Sequence, residues 1–222
     1  SISSEQKQIE SSELLANFQL KWLEEFEKIQ QSITQIRQFS SPELIQMLLA
    51  AIAALQMEEI RTPLLTGTKF ANYSIGYQLP NQSRQVGIVW TEDQNMSTFF
   101  YVMDACRKAI EQNLCQNLQL IRAEKVGKPN LLGHKLYAQI FTGSTHRHIT
   151  PNLISVHYLA TYYSLVKDAR EGDLVVGSET LGFKDLQALI QESKVLHNCP
   201  LLQDLEVVSR QDQGVSDQAS SN

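Results

Sequence analysis

The sequence predicts an α/β (or α+β) chain: an N-terminal helical hairpin followed by a mixed sheet that opens with an antiparallel β-hairpin and alternates with helices. Three observations carry this expectation. Apolar residues recur every three or four positions from Ser12 to Phe39, then almost without break from Leu44 to Leu55. They alternate with small or polar residues from Tyr73 to Leu79 and again over Gln85 to Thr91. Beyond Thr98, helix-like and strand-like stretches take turns as far as Val208.

The first helix is read from Leu15, Phe18, Trp22, Phe26, Ile29, Ile33 and Ile36, which share one helical face behind the cap candidates Ser11 and Ser12. That spacing also suits a coiled-coil seam, hence self-association, as well as packing within the chain. The second helix begins with Ser41 as N-cap and Pro42 at the first helical position, where a missing N–H costs nothing. It is apolar nearly all round, so it needs cover on most faces, from the main domain or from another subunit. Pro80-Asn81-Gln82-Ser83 makes the turn between the two alternating strands. Phe99, Val102, Met103, Cys106 and Ile110 mark a helix over Thr98–Gln112, and Leu118 to Arg122 reads as a short strand. Residues 130–142 fit helix or strand equally well. Thr150-Pro151 opens a helix through Ala169, stopped by Gly172, with Tyr163 placed on or near its apolar face. Leu174 to Gly177 reads as a buried strand, Lys184 to Leu196 as a helix and Leu205 to Val208 as a final strand. The expected organisation is a polar, disordered tail over 1–10, the helical hairpin over 11–60, the α/β domain over 61–208 and a second disordered tail over 209–222.

Composition excludes some classes. The 222 residues carry a net charge of −5, which argues against a generally basic nucleic-acid coat. The longest apolar run, Leu44 to Leu55, falls short of the ~20 residues that a bilayer span needs, so no membrane segment is expected. Three cysteines without a C-x-x-C spacing suit reduced thiols in the cytoplasm. The charge is unevenly spread, with −5 over residues 1–60, +6 over 61–167 and −6 over 168–222. Residues 125–167 contain no carboxylate, yet hold Lys125, Lys128, Lys135, Arg147, Lys167 and four of the five histidines. Gathered on one face, these groups would attract an anion such as phosphate, nucleotide or nucleic acid. Tyr137 and Phe141 would add stacking surface.

The densest local feature is Thr142-Gly-Ser144-Thr145-His146-Arg147-His148-Ile149-Thr150. Hydroxyl and backbone donors with an arginine fork, ahead of a helix start, form a plausible anion cradle. His146 and His148, two apart, project to one side of an extended chain, and His157 is a third imidazole within reach of the idea of a metal site. No carboxylate or cysteine ligand is adjacent, so no metal and no cofactor is assigned. Tyr163 and Lys167 match the Tyr-x-x-x-Lys spacing of short-chain dehydrogenases, but the glycine-rich turn which that chemistry needs is missing. Phosphate-loop, nucleophile-elbow, zincin and EF-hand patterns are absent as well.

The sequence therefore points to a non-catalytic regulatory or interaction protein. Its ligand-binding residues are expected to be Lys125, Lys128, Lys135, Ser144, Thr145, His146, Arg147 and His148, and its helical hairpin is expected to mediate homo-oligomer or partner contacts. A metal- or phosphate-dependent enzyme using His146, Arg147 and His148, and a structural subunit of a larger assembly, are the alternatives.

Overall fold

A computed structural model of the chain describes residues 3–55, 58–61 and 63–210. The first helix, α1 (Ser4–Ser32), starts where the Ser3 hydroxyl accepts the Gln6 N–H at 3.3 Å. Residues 4–10, expected to belong to the N-terminal tail, form its first two turns, exposed on every side. They extend a helix already nucleated further along, where Phe18 and Trp22 are buried, because adding a residue to an existing helix costs far less than starting one. A 3₁₀ turn at Ile36–Gln38 leads to α2 (Ser41–Ala54). Its N-cap is Ser40, one residue earlier than expected, and Glu43 closes a reciprocal capping box with it. The Ser41 hydroxyl is thereby released and instead accepts the Glu92 N–H at 3.0 Å, tying the helix start to the sheet.

Strands β1 (Glu58–Arg61), β2 (Ser74–Gln78) and β3 (Gln85–Trp90) form an antiparallel meander. Then α3 (Met96–Glu111) crosses to β4 (Asn117–Ile121), and α4 (Leu132–Phe141) crosses to β5 (Arg147–Ile149), both parallel to their predecessors. The sheet order is β1-β2-β3-β4-β5. The chain continues through α5 (Leu153–Glu171), a small separate hairpin of β6 (Val175–Val176) and β7 (Glu179–Thr180), α6 (Phe183–Ser193) and the short α7 (Pro200–Asp204).

Pleat alternation divides the core in two. Ile75, Tyr77, Val86, Ile88, Trp90, Ile121 and Ile149 face the cluster that holds α2, α5, α6, α7 and the buried side of α1. Val89, Leu118 and Leu120 face the cluster beneath α3, α4 and the segment 64–73. Residues 11–60 thus share one apolar core with the α/β part, α1 and α2 each lying against α5. The stripe Phe18, Trp22, Phe26 and Ile29 is spent on that internal contact, Phe26 meeting Tyr158 at 4.9 Å between ring centroids.

The open stretch resolves as a helix over 132–141, with Gly133 letting α4 approach α3 so closely that a Cβ there would lie 3.3 Å from the Phe100 backbone. Two expectations are corrected. Leu205–Val208 is not a strand but a turn and bend after α7, its apolar side chains satisfied by burial without a strand partner. On α5, Tyr162 is fully buried whereas Tyr163 is 40% exposed. With α1, α2 and α6 all packed on α5, the covered arc is broader than a single stripe and excludes a different residue.

Candidate anion-binding groove

The parallel strands give the sheet two polar edges, and the residues singled out by sequence divide between them. At the edge where β3, β4 and β5 end, the loop after β4 carries Lys125 and Lys128, and Lys135 lies in the opening turns of α4, all three exposed. At the edge where β4 and β5 begin, Ser144 and Thr145 precede Arg147, and Asn117 donates its side-chain N–H to the Thr145 carbonyl at 2.9 Å. The cations of residues 125–147 therefore do not form one patch.

The first edge is locked by Arg122, whose side chain is fully buried although it carries a charge. Its guanidinium donates to the carbonyls of Thr91 (2.9 Å), Asp93 (2.7 Å) and Lys125 (3.0 and 2.7 Å), and stacks 4.5 Å from the centre of the Phe99 ring. Beside it, Glu92 accepts from Trp90 Nε1 (3.0 Å) and from the N–H groups of Ala123 (2.8 Å) and Glu124 (3.0 Å). Burial pushes the Glu92 carboxyl up, against the opposing pull of these donors. Four of the five N–H groups of Arg122 are used on its own chain, so this edge is a structural clasp joining the loops after β3 and β4.

The two histidines behave as structural groups too. His146 Nδ1 accepts the Leu118 N–H at 3.0 Å, occupying the ladder position at the start of β4, and burial lowers its pKa. His148 Nε2 donates to the Arg122 carbonyl at 2.8 Å, which leaves Nδ1 to accept from the Tyr137 hydroxyl at 2.8 Å in the neutral ring. His157, the third imidazole, lies across the sheet with Nε2 donating to the Ile33 carbonyl at 2.7 Å. Among the described residues no three His, Cys, Asp or Glu side chains are grouped as metal ligands.

Arg147 points the other way, onto the sheet face shared with Ile149. Its Nε donates to Gln119 Oε1 (3.2 Å) and one Nη to the Asp204 carbonyl (3.2 Å). Two adjoining grooves meet at this guanidinium. The larger, about 870 Å³, runs between β5 with the following Thr150 and residues 206–210, with Leu79, Pro80, Gln203 and Asp204 completing it. The smaller, about 240 Å³, lies over the starts of β3 and β4 and is lined by Arg84, Asn117, Gln119, Ser144, Thr145 and Glu206, among others. Leu79, Arg147 and Glu206 belong to both. Among the described residues no carboxylate stands within ion-pair distance of Arg84 or Arg147, whereas Arg210 pairs with Asp204 at 3.3 Å.

Sequence reading thus found Ser144, Thr145 and Arg147 at this place but missed Arg84, Asn117, Gln119 and Glu206. One signal was available. Gln119 interrupts Leu118-Gln-Leu120-Ile121 on the side where Ile121 faces the core, so a polar group sits where alternation asks for an apolar one. Comparison of the chain with protein-family models, with curated proteins and with solved structures finds no match.

Proposed function

We propose that this chain is a non-catalytic binding protein whose groove at Arg147 receives an anionic ligand or partner. The observation that carries the reading is an exposed arginine, oriented by Gln119 and the Asp204 carbonyl, that has no carboxylate partner among the described residues and stands where two grooves join. An oriented guanidinium loses little further freedom on binding and offers a planar fork to an oxyanion. The non-catalytic part is supported by the hydrogen bonds of His146 and His148, since in each neutral ring the nitrogen that could act as a base, Nδ1, already accepts from the Leu118 N–H or the Tyr137 hydroxyl.

A second copy or another protein remains the expected partner for surfaces outside the groove. The outer side of α1 keeps Leu20 and Leu23 66% and 57% exposed, and this outer side, not the stripe read from the sequence, is what α1 offers for association. No helix of the described residues is long and apolar enough to cross a membrane, and the three cysteines are free and buried, as suits a reducing cytoplasm.

The test is retention on heparin across a salt gradient, for the wild type and for Arg147→Ala. The wild type should elute at higher salt than the variant. Identical elution of the two would remove Arg147 as the anchor.

A further inference from the structure

The smaller groove holds more donors than the protein itself uses. Gln119 gives its Oε1 to Arg147, which leaves the Gln119 amide N–H groups on the groove side with no acceptor among the described residues. Arg147 has used two of its five N–H groups, and Arg84 has no hydrogen bond to any described residue.

We propose that the smaller groove is a receptor for a phosphate group, and that the larger groove holds the body of the molecule that carries it. This rests on the reading of Arg147 as the anion anchor, and it narrows the ligand class from anions in general to phosphomonoesters. Size supports the division. A ligand site usually measures about 300–1,000 Å³, so the smaller groove suits a head group and the larger suits the rest. Arg84 and Arg147 supply charge, Gln119 supplies directed donors, and the apolar side chains of Leu79, Ile149 and Val207 line the part that receives the body. Glu206 is the counterweight. Its exposed carboxylate shares the groove and repels an entering anion.

Calorimetric titration of the intact chain with inorganic phosphate and with phenyl phosphate tests this, with urea unfolding of each variant as the control for folding. Both probes should bind, phenyl phosphate at least tenfold tighter. Arg147→Ala should weaken both by roughly tenfold or more, as expected for a lost charge-assisted hydrogen bond. Glu206→Gln should tighten both. Arg84→Ala is the decisive variant. Arg84 is exposed, so the unfolding midpoint should stay unchanged while phosphate weakens threefold or more. If Arg84→Ala binds phosphate as well as the wild type does, the smaller groove is not the receptor and the proposal falls. Equal affinity for the two probes removes the role of the larger groove. Heparin retention that depends on Arg147 without any phosphate binding would keep the anion anchor and overturn the phosphomonoester, whereas loss of both overturns both.

Discussion

Arg122→Met asks how much of the fold hangs on one buried guanidinium. The substitution keeps much of the side-chain length and removes all four hydrogen bonds to Thr91, Asp93 and Lys125. Thr91 is 0% exposed, so its carbonyl, left without that donor, costs about 1–3 kcal/mol. The Asp93 and Lys125 carbonyls lie nearer solvent and regain water at roughly 0.5 kcal/mol each. Loss of the cation from the face of Phe99 adds about 1 kcal/mol, and Glu92 loses the positive charge that offsets its burial. Relief from holding a desolvated charge works in the opposite direction. The balance is a destabilisation of about 3 kcal/mol, a large fraction of the 5–15 kcal/mol typical of a domain. With a urea slope of about 2 kcal/mol/M, the midpoint should fall by roughly 1.5 M. Circular dichroism reads the transition, and Arg122→Lys should fall between the two, since an ammonium keeps the charge but cannot reach all three carbonyls as a fork does. A midpoint for Arg122→Met within about 0.3 M of the wild type would refute the view of this residue as the clasp of the sheet edge.

Five further variants test packing and titration. Gly133→Ala should cost about 1–3 kcal/mol in urea unfolding, since the added methyl meets the Phe99 side chain at 3.0 Å and the Phe100 backbone at 3.3 Å; an unchanged midpoint would mean that α3 and α4 separate freely. Ser40→Ala should cost about 1 kcal/mol by undoing the capping box, and Ser41→Ala should also destabilise although Ser41 caps nothing, because the Glu92 N–H loses its acceptor. Trp22→Ala should cost about 3–5 kcal/mol and raise proteolysis of α1, as expected if the helix is held by its inner stripe and not by its turns; equal proteolysis would show otherwise. His146 titrates below its ordinary value of 6.5, so the unfolded chain takes up its proton first on acidification. Its stabilising contribution is therefore complete above pH 6.5 and declines as pH falls below that value, and a denaturation series should show less of this decline in His146→Asn.

What could be read from the chain was whatever a local period or a local cap determines. The stripe of α1, the alternation in β2 and β3, and the helices after Met96 and after Pro151 all announce themselves within a dozen residues. What could not be read depends on partners far away. Ser40 and Ser41 are equally good caps by type; the Glu43 box selects Ser40, and what no local pattern shows is that the freed Ser41 hydroxyl meets the Glu92 N–H, 51 positions along the chain. Residues 132–141 fit either period until α3 is present with its Phe100 backbone exposed to a glycine. Leu205 to Val208 has strand composition but finds its cover in a cluster that a turn already reaches. β5 is only three residues long, too short for periodicity to register, and it is this strand that sets which way His146, Arg147 and His148 point.

The last of these decides the functional argument. A stretch of 43 residues without a carboxylate suggests a single basic face, but a parallel β-α-β unit cannot deliver one from this sequence. The loop after one strand and the loop before the next must leave the sheet at opposite edges, because the intervening helix runs back along its full length. Lys125 and Lys128 are thereby separated from Ser144, Thr145 and Arg147 by the length of β4, however close their counts of charge look in the sequence. The two groups consequently differ in kind. Lysines on an open loop raise the local potential and fade with salt. An arginine fixed by Gln119 and a backbone carbonyl, between two concave walls, keeps its direction when the diffuse field is screened. Any selectivity this protein has for one anion over another must come from the second kind, and so from the edge where β3, β4 and β5 begin.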